Sequence, residues 1–403
     1  MKNTLAIVCL CALVVPSRAS AQSRGEPDIS KARVRIGRLF MNPSISLTNL
    51  GWDTNIFNEP DQVVPKRDFT LTVTPQTDLW LRMGRSWLIG TVKEDLVWYK
   101  DFASERSANN TAGIGLLLPL NRLRFNGGTS FLRTRERPGF EIDARSQRSE
   151  LAYDGGVEIR ARPKTFIGVR ADRKITSFDS TATFEGVSLR QALNRTVTTE
   201  AVTVRQQVTP LTAITLDVGR GQDRFEFSPL RDSDSTSAAV GVKLDGFAII
   251  KGSASFGYRD FQPVSPAVPA YTGTTANADL SYVGFGTMRI GVQAVRDVQY
   301  SFEINEPYYL LTGVSASVTQ RISRPLDIVG RIGTQQLSYR ERLGAAAAAA
   351  ERVDHVRSYG AGFGYHVGDV RIGFNVDQQK RSSPVLDRDY HGLRFGTSVT
   401  YGL

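Results

Sequence analysis

The residues able to do chemistry are few. Three histidines occur, His355, His366 and His391. A hydrolase built on a serine nucleophile needs a His base beside the hydroxyl and a polar group to orient the ring. His366 stands next to a tight turn, in Tyr365-His366-Val367, and His355 and His391 stand at the edges of polar stretches. No Ser, His and acid share a spacing that suggests such a set. The three are read as polar residues at a rim, and the chain is expected not to be an enzyme. Metal chemistry has no better footing: there is no H-E-x-x-H, and Asp53 and Asn55 offer too few oxygen ligands for calcium. Those two are read as turn residues. No Gly-rich phosphate loop is found, because Gly113, Gly115, Gly127 and Gly128 fall within strand patterns. No cofactor is expected.

Charged side chains at every second position are the stronger signal. Arg122, Arg124, Arg160, Arg170, Arg289, Arg331, Arg371 and Arg394 alternate with apolar residues, as do Asp78, Asp154, Glu158, Asp172, Asp217, Asp279 and Asp377. An arginine held in hydrocarbon at the middle of a bilayer costs about 2–4 kcal/mol. If these strands cross a membrane, the charges must face a watery interior. They then either brace the wall as ion pairs or set a field that selects solutes.

The elements that would hold them are strands. Phe69, Leu71, Val73, Leu79 and Leu81 share one parity, and Thr70, Thr72, Thr74, Gln76 and Asp78 the other. The same alternation recurs at Val370, Ile372, Phe374 and Val376 against Arg371, Asn375 and Asp377. One face is oily and one is wet, which is the period-two pattern of a strand between two solvents. Connections alternate between tight, as at Pro119–Arg122 and Gly368-Asp369, and long and polar, as at 53–67, 134–147 and 177–194. Counting from Ser44–Gly51 to Arg394–Leu403 predicts about 18 strands. The even count puts both chain ends on one side. The expected fold is all-β: a closed antiparallel transmembrane β-barrel with short periplasmic turns and long extracellular loops. Trp98, Tyr99, Phe225, Phe227, Tyr258, Tyr271, Tyr300, Tyr308, Tyr309, Tyr339 and Tyr390 fall at the predicted outer strand ends, where an aromatic girdle is expected. A soluble sandwich of this length would need a linker, and a propeller a recurring blade motif; neither is seen.

The chain opens with Lys2, an apolar run from Thr4 to Val15, Pro16, and Ala19-Ser20-Ala21. This reads as a signal peptide over residues 1–21, too short to span a bilayer. Residues 22–42 would form an N-terminal periplasmic segment, with Lys31, Arg33, Arg35 and Arg38, and residues 43–403 the barrel. Cys9 and Cys11, the only cysteines, lie in the leader, so the mature chain would carry no disulfide. Losing Lys2 and Arg18 lowers the formal charge from +10 to +8. The basic residues are dispersed, with no run of five or six, which argues against nucleic acid as partner. No later stretch reaches the roughly 18 apolar residues of a spanning helix. A bilayer must then be crossed by strands that close on themselves, since lipid leaves no backbone group unpaired.

Pro43-Ser44-Ile45-Ser46-Leu47, followed by Gly51-Trp52-Asp53-Thr54-Asn55-Ile56-Phe57, resembles the opening of the putative β-barrel porin 2 family of outer-membrane proteins. The layout over residues 40–403 is similar too. The resemblance implies a porin-like protein of the bacterial outer membrane, in a family often linked to exopolysaccharide export, and brings no catalytic residues with it. Leu393, Phe395, Val399, Tyr401 and Leu403 resemble the C-terminal signal read by the barrel-assembly machinery, with leucine where an aromatic usually ends it. The expected partners are outer-membrane lipid, that machinery, and polysaccharide or anionic small solutes. The leading expectation is a passive or weakly selective channel. A structural or adhesive barrel with a closed lumen is the alternative, and a barrel enzyme of lipase or protease type the third.

Overall fold

The computed structural model describes residues 26–244, 249–344 and 351–401. The leader, the Asp245-Gly246 turn, Ala345–Ala350 and Leu403 lie outside these. Eighteen long strands run through the chain: β1 (Leu39–Asp53), β2 (Asp68–Met83), β3 (Ser86–Tyr99), β4 (Ser107–Pro119), β5 (Leu123–Glu136) and β6 (Ser146–Arg162). They continue with β7 (Thr165–Phe178), β8 (Arg195–Thr209), β9 (Thr212–Phe225), β10 (Ser233–Leu244), β11 (Ile250–Pro263) and β12 (Tyr271–Gly284). The last six are β13 (Met288–Tyr300), β14 (Tyr308–Arg321), β15 (Leu326–Arg340), β16 (Val353–Val367), β17 (Val370–Ser382) and β18 (Tyr390–Tyr401). Each pairs antiparallel with the next, and β1 pairs with β18 from Ile45↔Tyr401 to Asp53↔Arg394. The sheet therefore has no free edge, which is what lipid demands of a spanning sheet.

The alternation read from the sequence sets the two faces. Ile114, Leu116, Val169, Leu216, Phe256, Ile332 and Phe363 are exposed, several by half or more, and share the outer face. The opposite, inner face carries the charged and hydroxyl residues. Strands of 12 to 17 residues, tilted as barrel strands are, span roughly 30–40 Å, more than the apolar band of about 25 Å. The surplus lies at the strand ends, where polar residues reappear.

β1 starts at Leu39, four residues before the expected start of the barrel at 43. A three-residue strand, Val34–Ile36, folds back onto it, pairing Val34 with Met41. Gly37 makes the turn at φ 59°, a conformation that disfavours any residue with a Cβ. Ala32 then packs against Phe40, Trp80, Trp87 and Leu117, all buried and all on inner-face positions near the short turns. Where β1 meets β18 the register slips between Leu47 and Leu50, with Asn49 at φ 54°. At Gly51 the backbone of Phe395 lies so close that any Cβ would overlap its carbonyl. This bulge bends the seam so that the first and last strands meet.

Candidate functional site in the lumen

Several inner-face charges lie along the wall and pair across an intervening strand. Arg331 on β15 reaches Asp377 on β17, Nη2 to Oδ1 2.8 Å. Between them in register stands Gly360 of β16, where a Cβ would collide with both partners. Arg371 on β17 forks onto Asp327 on β15 at 2.9 and 2.6 Å, over Gly364, whose Cβ would overlap the guanidinium. Arg205 on β8 forks onto Glu158 on β6 at 3.0 and 2.6 Å, with Gly168 of β7 opposite Glu158. Arg170 on β7 lies 3.6 Å from Asp217 on β9, and Arg259 on β11 lies 2.6 Å from Asp297 on β13. Small residues on the middle strand let these long side chains bridge their neighbours along the wall. A Gly364→Val variant is expected to keep its barrel but to lose about 1–3 kcal/mol by overpacking, read as a lower denaturant midpoint. Gly330→Ala, where a Cβ meets nothing, should leave the midpoint unchanged.

The other sequence-selected residues fall as follows. Arg394 bonds Asp53 through Nη2 at 2.6 Å, at the end of the β1–β18 seam. Arg124 stands opposite Glu158, Asp154 opposite Asp172, and Arg289 opposite Thr319. Arg160 lies over the Phe166 ring. Arg122 belongs to the tight turn before β5, so strand alternation does not apply to it, and it is exposed. Asp78 accepts from Thr91 at 3.0 Å, and Asp279 faces Gln293. His366 Nε2 meets Asp327 at 2.5 Å and His391 Nδ1 meets Asp61 at 2.6 Å. Among the described residues no hydroxyl bonds any of the three imidazoles.

The long connections hold what strand alternation could not show. Residues 137–145, between β5 and β6, turn inward and are buried at Phe140, Glu141, Ile142 and Asp143. Their anchors sit far around the ring. Arg381 of β17, fully buried, donates to the Phe140 and Glu141 carbonyls at 3.1 and 3.0 Å and to Asp143 at 2.8 Å. It also pairs with Asp354 of β16. Arg388, after β17, donates to the Glu141 carbonyl at 2.6 Å and to Glu185 at 2.7 Å. Ser301, after β13, donates to Glu141 Oε1 at 2.6 Å. The β13–β14 connection lies eight strands from β5–β6, close to half of an 18-strand ring, so residues 137–145 cross the mouth. Ile142, Phe178, Leu189, Leu193 and Phe302 join that segment to the 179–194 connection in one apolar cluster. The 179–194 connection carries the short helix α1 (Leu189–Leu193), capped by Ser188.

Most buried charge in this lid is balanced by charge or carbonyls, as a dry environment requires, whereas Arg145 lies over the Tyr99 ring. Arg231 donates to the Ser301, Phe302 and Glu303 carbonyls at 2.8–3.1 Å, and burial pulls its pKa down to about 10. Burial pushes the Glu141 carboxyl up to about 7, against the Ser301 hydrogen bond and the nearby arginines. Under the lid lies a cleft of about 660 Å³, counting space open to solvent. Arg148, Glu150, Lys174, Arg195, Phe140 and Tyr309 line it.

The family-like segment is part of this closure. Asp53 accepts from Asn55 N at 3.0 Å and from Arg394, so both of its oxygens serve the turn. Asn55 bridges Glu59 and the His391 carbonyl. Arg137 donates to the Ile56 carbonyl at 2.9 Å, and Phe57 stacks edge-on against Phe102. The expected aromatic girdle divides: Trp98, Phe227 and Tyr258 are exposed, whereas Tyr99, Phe225, Tyr308, Tyr309, Tyr339 and Tyr390 are buried. Tyr309 and Tyr339 pack with Phe140 of the lid, and Tyr308 packs with Phe261 and Val268 of the β11–β12 hairpin. Folded-in loops, rather than lipid, claim those rings.

A closed ring of 18 antiparallel strands with an apolar outside and a charged, hydroxyl-rich inside is a porin-like outer-membrane β-barrel. The chain belongs to the putative beta-barrel porin 2 family, whose model matches residues 26–402. Among solved structures it is similar to OccK9 (OpdG) from Pseudomonas aeruginosa, at 12% identity and TM-score 0.47, over 90% of this chain and 98% of that one. It is also similar to the outer membrane protein opdK from Pseudomonas aeruginosa, at 11% identity and TM-score 0.45, over 90% and 98%. The FrpB iron transporter from Neisseria meningitidis matches at 8% identity and TM-score 0.43 over 90% of this chain, which spans 64% of that longer one. No curated protein sequence matches the chain.

Proposed function

We propose that the barrel is a non-enzymatic channel of the bacterial outer membrane, passing small solutes or a secreted polysaccharide, with its short turns in the periplasm. The carrying observation is the flattened charge on the inner wall. Ion pairs that cross over glycines keep the wall polar and hold those long side chains along it, as suits a water-filled passage. The lid across the long-loop mouth makes the second reading specific: a barrel whose lumen is shut and whose function lies in its loops.

Planar-bilayer recording separates them. Folded protein should give discrete conductance steps with modest anion preference in reversal potential. Neutralising Arg122, Arg124 and Arg371 to glutamine should reduce that preference. Folded, heat-modifiable protein that never conducts, with residues 137–145 intact or cut, excludes the channel and leaves the closed barrel.

A further inference from the structure

The two mouths differ in how their cations are matched. At the long-loop mouth the buried guanidiniums of Arg352, Arg381 and Arg388 are held by carboxylates. At the short-turn mouth five inner-face arginines end their strands: Arg82 on β2, Arg124 on β5, Arg160 on β6, Arg289 on β13 and Arg321 on β14. Their parity is that of Trp80 and Trp87, Glu158, Val295 and Leu311, which face the interior. None of the five makes an ion pair among the described residues. Glu158 stands opposite Arg124 but is forked by Arg205, and Asp327 stands opposite Arg321 but is held by Arg371 and His366. Arg82 and Arg160 lie over the rings of Trp87 and Phe166 instead. Arg162 at the end of β6 and the turns just outside, with Arg85, Arg122, Lys164 and Arg324, add to this, against Asp369 alone among the described turn residues.

Like charges at one mouth of a narrow, low-dielectric wall focus a positive field into the opening. A simple salt-braced wall would place acids beside these groups, as it does a few residues further in. Building on the channel reading, we propose that the short-turn mouth is a capture site for a polyanionic chain, of the carboxylated-polysaccharide class, which it threads toward the lumen. Five guanidiniums spread around the ring suit a flexible polymer carrying repeated carboxylates better than one compact anion, because successive charges engage successive arginines. The inner-face position separates this ligand from lipid headgroups, which meet only the outer rim.

The test uses the full-length folded barrel in planar bilayers, oriented by protease access to the long loops. Polygalacturonate is the polyanionic probe and dextran of similar length the neutral one. Polygalacturonate added on the short-turn side should block current at a concentration at least about tenfold lower than on the long-loop side. The Arg124→Gln/Arg160→Gln/Arg289→Gln/Arg321→Gln variant should erase the difference, as should raising salt from 0.1 to 1 M, which contracts the screening length from about 10 to about 3 Å. Equal block from both sides, or block by dextran at the same concentration, overturns the proposal. If the barrel does not conduct, the channel reading fails separately. Fluorescent polygalacturonate binding to the detergent-folded protein then decides: loss of at least tenfold affinity in the variant supports capture, and unchanged affinity overturns it.

Discussion

Replacing Arg381 with methionine should release the lid. The variant keeps the side-chain volume but leaves the carboxylates of Asp143 and Asp354 short of their common cation in a buried site. It also strips the Phe140 carbonyl of its donor and the Glu141 carbonyl of one of its two. Removing one partner of a buried pair costs about 3–5 kcal/mol, because the remaining charge is stranded away from water. That cost falls on the docked lid rather than on the barrel, whose strands pair independently of it. The expected result is a protein still heat-modifiable on a gel, with residues 137–145 newly open to protease and a larger unitary conductance. Adding Asp143→Asn and Asp354→Asn to the same chain should restore part of the protection, since stranded charge and not lost volume is the cause. Unchanged protease resistance in Arg381→Met would show that the apolar cluster around Phe302 holds the lid unaided.

The second large effect is on pH. Glu141, buried in the lid, keeps its proton up to about pH 7 when docked, against 4.5 for an exposed glutamate. The docked form thus binds a proton that the undocked loop releases. Docking is strongest below pH 4.5, weakens as pH rises from 4.5 to 7, and is constant above that, by about 3 kcal/mol in all. The lid should therefore be tighter at pH 5 than at pH 8, seen as slower cleavage of residues 137–145 and a lower open probability at the acid side. Glu141→Gln, neutral throughout, should flatten that profile at its acid-side level. A wild-type profile that rises toward acid would contradict the sign of this coupling.

Much of the barrel could be read in the sequence because one physical rule repeats along it. Hydrocarbon and water lie on opposite sides of each strand, so Ile372 and Phe374 had to oppose Arg371 and Asn375, and eighteen such segments could be counted from their turns. The rule is silent where a strand passes beyond the bilayer. Phe40, Trp80, Trp87 and Leu117 occupy positions it assigns to water, yet they pack on one another and on Ala32. The lid was hidden for a different reason. Its contacts join residues more than two hundred positions apart, as Arg381 joins Phe140, and its members, Glu141, Asp143, Arg381 and Arg388, have the composition of a solvated loop. Nothing in the sequence marks out Gly360 and Gly364. Their purpose depends on which arginine lies across them, and register alone reveals that. The D-x-N segment was noticed as a family likeness, but its role as a clasp between the first and last strands needed Arg394 and His391 in place.

The seam between β1 and β18 carries a consequence for biogenesis. The residues that seal the cylinder, such as Ile45 and Tyr401, are separated by nearly the whole chain, so no partial product on the ribosome or in transit can complete the circle. Until the final strand is delivered, two unsatisfied strand borders remain, ready to join neighbouring chains. Such a polypeptide stays open until its last strand pairs with its first. A truncation of even the last dozen residues should accumulate as aggregate rather than as a smaller barrel.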